Sequence, residues 1–439
     1  MKTFVVAALL LVARESRSQQ IDTARALSAL RDAAEACNAD GGRLWGKSLC
    51  GPIALVDRPT RLVIANDTVA GTRFLPYGNA FVTTLPANRF IANTSFPWGG
   101  RQWTMVALPL PADRYGRAAL VLHETFHREQ PALGLAQGDA LNNHLDFREG
   151  RTWLRLELRA LADAILAADV AQARRHTESA LLFRAYRRSL YPGSDSTEAS
   201  LEIQEGLPEY TGHKLAMALT GESSQRVAQH VADFAQSRSF VRSFAYGTGP
   251  GLGVVLDRFA PDWRTTVRTR RDLSAILAGA VLFRAPRDLE RSARQRAAAY
   301  GLAQVDSTER AREAARAATM ADFRARLSDG PVVTFRQTRD SLSWGFDPNS
   351  LIAFDLASAI YPFGSFTAPW GSLNVESNGV LVSNDLSRFR VPFSGEPPGP
   401  DTRQLGGNGW KATLNSGWSF AADPAKPGSF VVVRAAGGD

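Results

Sequence analysis

The stretch "ALVLHETFHREQ", residues 119–130, decides how the rest of the chain is read. It holds two of the chain's six histidines, His123 and His127, with Glu124 beside the first. The apolar run Leu120 to Leu122 leads into them. On a helix, positions i and i+4 share one face, so the two imidazoles stand side by side. Glu124 projects about 100° around the axis from His123. Two neutral imidazoles on one turn can grip a metal ion from one side, and the carboxylate between them can then reach a water without becoming a ligand. The plainer account is two histidines satisfied by hydrogen bonds in a half-buried helix.

The stretch also marks a change of periodicity. Before it, "GPIALVDRPTRLVIAND" reads as two short strands around an Asp-Arg-Pro turn, and "NAFVTTLP", "NRFIANTSF" and "RQWTMVALPLP" continue in the same manner. Residues 50–110 are expected to form a small, mostly antiparallel sheet, preceded by a helix in "IDTARALSALRDAAEACN". After it, residues 150–328 are helical almost throughout, and from about Asp329 alternation with Gly, Pro and Asn turns marks a β module. The expected class is α+β. Its parts are a signal peptide at 1–18, an N-terminal helix and sheet at 19–112, a helical region at 113–329 and an all-β module at 330–439.

His123-Glu124-Thr125-Phe126-His127 is the H-E-x-x-H arrangement of zinc peptidases. The metzincin continuation fails, because Gln130 and Leu133 stand where a Gly and a third His are required. Downstream, "QEGLPEY" (204–210) resembles the N-E-G-x-A-x-Y segment of the gluzincin peptidases. That resemblance implies a zincin-like catalytic region, with Glu205 as third zinc ligand and Glu209, one turn on, orienting a zinc-bound histidine. Pro208 departs from the pattern and is expected to kink or divide the helix. The long interval between His127 and Glu205 implies inserted helices. A solvated acidic stripe is the bland account of Glu202, Glu205 and Glu209.

Glu157 competes for the third-ligand or an outer role, since it shares a helical face with Trp153, Leu154 and Leu161 and needs a partner there. Pairing with a nearby Arg is the plainer outcome, and His144 is a weaker alternative ligand. The chemistry implied is hydrolysis of a peptide or protein substrate. Zn2+ would acidify a water and polarise the carbonyl, and Glu124 would serve as general base. Tyr246 is the first choice for an oxyanion donor, ahead of Tyr210, His213 and His230. "RQWTMVALPLP" is expected to offer an edge to an extended peptide. Gly247, Gly249, Gly251 and Gly253 do not form G-x-G-x-x-G and are read as a flexible turn rather than a phosphate loop.

Bulk properties bound these readings. The chain has 439 residues, 44% hydrophobic and 21% charged, enough for two or three domains. The formal charge is +8, but only five of the 51 basic residues are Lys, and the Arg residues are interspersed with Asp and Glu. Without a long basic block, no nucleic-acid partner is expected. "MKTFVVAALLLVARESRSQQ" has a basic start, an apolar run too short to cross a bilayer and small residues before a cut near Ser18. The mature chain is therefore expected outside the cytoplasm, periplasmic or secreted, with no stable membrane insertion. Cys37 and Cys50 are expected to form a disulfide there. Trp344, Trp370, Trp410 and Trp418 are read chiefly as core of the β module, with a sugar-binding surface as the other possibility. Two other functions stay open: a noncatalytic envelope protein on the same scaffold, and a metal-dependent hydrolase of a non-peptide substrate.

Overall fold

Apolar residues at helical spacing make α1 (Thr23–Asp40), capped by the Asp22 carboxylate, which accepts from the Arg25 amide. This computed structural model describes residues 22–435, apart from positions 88, 137, 139, 338–340 and 348–349. The expected signal segment thus lies outside the described residues. Cys37, near the end of α1, is disulfide-bonded to Cys50.

Six strands follow: β1 (Ile53–Asp57), β2 (Leu62–Ala65), β3 (Leu75–Tyr77), β4 (Ala80–Thr84), β5 (Thr94–Trp98) and β6 (Arg101–Leu108). They form one sheet in the order β3-β4-β2-β1-β6-β5, antiparallel except where β1 runs parallel to β6. The period-2 alternation of strands separates two apolar layers. Ile53, Leu55 and Val106 pack on α1 and the following helix, while Ala54, Val56 and Met105 join Phe96, Trp98 and Trp103 on the other face. One expectation is corrected here. The strand made by "RQWTMVAL" is interior, between β1 and β5, and β5 holds the edge.

The helical middle begins with α2 (Arg114–Glu129), which carries the paired histidines. Asp113 caps it by accepting from the Gly116 amide, and Pro131 stands two residues past its end. Then come α3 (Arg148–Leu166), α4 (Val170–Leu190), α5 (Ser194–Leu201), α6 (Leu207–Thr220), α7 (Gln225–Phe234) and α8 (Ala245–Phe259). The region closes with α9 (Trp263–Arg270), α10 (Leu273–Ala280), α11 (Leu289–Ala297) and α12 (Leu302–Arg324). A single π-turn, Glu202–Gly206, joins α5 to α6. Pro208 falls in the first turn of α6, where its missing N–H costs nothing. The chain is not broken at Pro208: the π-turn ends at Gly206, and the backbone stays right-handed helical at Leu201, Gly206 and Leu207.

The four alternating glycines do not form a turn. They lie inside α8, where a Cβ would meet the Phe234 side chain at Gly247, Leu161 at Gly251 and Tyr210 at Gly253, and backbone at Gly249. A Cβ on Gly249 would stand 2.2 Å from the Gly206 Cα, so contact with the π-turn overrides the weak helix propensity of glycine.

From Val332 onward the chain is all β, in one seven-stranded and one five-stranded sheet. The sheets share a core in which Phe335 and Phe389 of the larger meet Phe366 and Leu373 of the smaller. Trp370 and Trp410 are buried in it, which removes them from any sugar-binding surface. Asn143 anchors the module to the helices by donating to the Asp355 and Ser358 carbonyls, both at 2.8 Å. Among the described residues no helix is long and apolar enough to cross a membrane.

Candidate metal centre

The centre exists because α6 crosses α2 at backbone contact. A Cβ on Gly212 would lie 2.3 Å from the Ala119 carbonyl oxygen, so only glycine permits the approach. Glu209, one turn before Gly212, thereby reaches His123, with Nδ1 to Oε2 at 2.6 Å. His127 Nδ1 lies 2.9 Å from Gln130 Oε1, and Gln130 Nε2 donates in turn to the Ile203 carbonyl at 2.8 Å. Each ring is thus held by an oxygen at Nδ1, which fixes a proton there and leaves Nε2 as the lone-pair atom.

The two Nε2 atoms lie 3.1 Å apart. Glu205 Oε2 stands 3.3 Å from His127 Nε2 and 3.7 Å from His123 Nε2. Facing lone pairs at such separations repel unless a positive charge, a proton on one ring or a metal cation, lies among them. Tetrahedral metal bonds of about 2.0–2.2 Å place ligand atoms about 3.3–3.6 Å apart. The His123, His127 and Glu205 donors therefore suit a divalent cation. Glu209, His213 and His230 also bring one potential ligand atom each to within 4.8 Å of one another.

Glu124 is buried, with Oε1 4.0 Å from His123 Nε2 and Oε2 without a hydrogen-bond partner among the described residues. Burial pushes its carboxyl above the ordinary value, against the opposing pull of His123 and His127. Tyr246, on α8, donates from its hydroxyl to Glu205 Oε2 at 2.9 Å and stacks its ring on His123 at 5.7 Å. Burial, then the Glu205 charge, holds that phenol well above its ordinary value, so it stays protonated as a donor. Arg242 brings its guanidinium to 3.7 Å from Glu205 Oε1.

The π-turn aims Glu205 at the histidines while a buried ion cluster anchors the turn from behind. Arg184 binds both oxygens of Glu202, at 2.6 and 2.8 Å, and donates through Nε to Glu157 at 2.7 Å. Arg187 joins Glu157 to Glu198, and His144 lies 2.8 Å from Glu198. Glu157 and His144, weighed from sequence as ligands, are therefore spent on this cluster. Glu202 belongs to it as well, so the acidic run is no solvated stripe. Tyr210 is buried and donates to Asp257 at 2.9 Å, and His213 lies beside Glu209 outside the lining of the cleft, whereas His230 lines the same cleft as the paired histidines.

Two contributors escaped the sequence reading. Gln130 carried a signal in its i+3 position from His127, but it entered only as the residue that breaks the metzincin pattern. Arg242 has no motif and reaches the site only through tertiary packing. The centre opens into a cleft of about 1300 Å³. Thr94 and Ser95 of edge strand β5 line one side, and Trp344, Phe346 and Phe363 of the β module line another. Among known proteins, no family model, no curated protein and no solved structure matches the chain.

Proposed function

We propose that the chain is a zinc-dependent peptidase of gluzincin type that works outside the cytoplasm. The observation that carries this reading is the convergence of His123 Nε2, His127 Nε2 and Glu205 Oε2 beside a buried, partly unpartnered Glu124 carboxylate. The order of parts supports a zincin-like scaffold: sheet with an antiparallel edge strand, helix with the histidine pair, then a glutamate from a later helix.

Bound zinc supplies Lewis acidity, acidifying a water and polarising a carbonyl. The chain's own residues do the rest. Glu124 takes the proton of the attacking water and hands it to the departing amine. Tyr246 donates to the oxygen on which negative charge develops. Glu209 and Gln130 keep the imidazoles in the ligating tautomer. The open side of β5 at Thr94 and Ser95 takes the substrate backbone as an added strand. The Cys37–Cys50 disulfide supports an oxidising compartment.

The test compares wild type with Glu124→Gln on a mixed peptide library, with metal content measured in both. The reading expects equal zinc in the two and cleavage by wild type alone. Equal zinc with no cleavage by either variant returns the chain to the binding-protein class.

A further inference from the structure

Glu209 has a second working side. Its Oε2 holds His123, while its Oε1 lies 3.3 Å from His213 Nε2 and 3.6 Å from His230 Nε2. His213 is only 5% exposed, and its Nε2 makes no hydrogen bond among the described residues despite that short separation. The distance permits a bond and the angle does not. The other nitrogen of the ring is occupied, with Nδ1 2.6 Å from the Tyr115 hydroxyl. The His230 ring sits against that of His213, with centroids 4.4 Å apart.

We propose that Glu209 Oε1, His213 Nε2 and His230 Nε2 form a second divalent transition-metal site, joined to the first through the Glu209 carboxylate. Their donor atoms lie within 4.8 Å of one another, and the set repeats the two-histidine, one-glutamate composition of the first. Four of the chain's six histidines are used in the two groups. Imidazole nitrogens with one carboxylate oxygen suit zinc, cobalt or nickel. Glu209 and His230 line the large cleft, which gives an ion its way in. His230 Nε2 donates to the Tyr246 carbonyl at 2.9 Å, so binding a cation there breaks this contact and moves the ring proton to Nδ1 or releases it. A cation on Oε1 draws charge from the carboxylate that holds His123, so occupancy of one site alters the other.

The test counts tightly bound metal per chain. Metal-free full-length protein is dialysed to equilibrium against Co2+ or Zn2+, and bound metal is measured by mass spectrometry. The proposal expects two equivalents in wild type, one in His213→Ala, one in His230→Ala and one in His127→Ala. A single equivalent in wild type that disappears in His127→Ala overturns it and marks the second group as a hydrogen-bond relay. A single equivalent that survives in His127→Ala, and is lost in His213→Ala, removes the first site and keeps the second. Two equivalents without peptide hydrolysis leave this inference standing while the peptidase reading fails. The wild-type count needs no variant, so misfolding of His213→Ala does not shield the proposal.

Discussion

Gln130 joins His127 to the turn that carries Glu205. Its Oε1 lies 2.9 Å from His127 Nδ1, and its Nε2 reaches the Ile203 carbonyl two residues before Glu205. One amide thus sets both the orientation of His127 and the spacing between α2 and the π-turn. Gln130→Leu keeps the volume and removes both bonds. Metal affinity, read by competition with a chromogenic chelator, should fall about 10–100-fold, the usual cost of losing such a partner. Unchanged affinity would mean that the ring is oriented by packing alone.

Tyr246 stands over His123 and bonds to Glu205 through its hydroxyl. If that hydroxyl serves the transition state, Tyr246→Phe should lower kcat by about 10²–10³-fold with little change in KM. Bound metal should stay at the wild-type level. A loss of metal with kcat per bound metal preserved would assign the tyrosine to holding Glu205 instead.

Gly249 is where α8 touches the π-turn, and a Cβ there would meet the Gly206 Cα at 2.2 Å. Backbone cannot yield as a flexible side chain does. Gly249→Ala should therefore cost about 1–3 kcal/mol in urea unfolding, the usual penalty of overpacking. It should also weaken metal binding, because the displaced turn carries Glu205. Wild-type stability in this variant would show that the two segments separate freely.

The buried ion cluster sets an acid limit. Burial alone would raise the Glu198 carboxyl, but the Arg187 charge, the His144 hydrogen bond and Arg188 outweigh it and hold it well below the ordinary value of 4.5. A carboxyl depressed in the folded state stabilises fully above its unfolded value, and that stability is lost as pH falls below it. Wild-type unfolding free energy should therefore drop steeply below about pH 4.5. Glu198→Gln should start about 3–5 kcal/mol lower at neutral pH, since it leaves buried arginine charge unpaired, and should fall less steeply in acid. Parallel acid slopes in the two proteins would remove Glu198 from this role.

What was legible followed the range of the interactions. His123, Glu124 and His127 sit on one turn, so helix geometry alone puts them together. Glu205 and Glu209 were legible through a short motif. Glu157 could be narrowed only to alternatives, because its partners Arg184 and Arg187 come from the next helix. The glycines of α8 misled for the same reason. Taken locally they say turn, and only Gly206 across the interface explains a helix. The edge of the sheet was likewise misassigned, since strand order depends on pairings that no single strand announces.

The central claim is that His123, His127 and Glu205 hold one cation between them. The most direct test is an anomalous difference map from zinc-loaded crystals, collected on both sides of the zinc absorption edge. The account predicts a peak about 2.0–2.2 Å from Nε2 of each histidine and from a Glu205 oxygen. A map with no peak among these three side chains, from crystals whose zinc content is established, would contradict it.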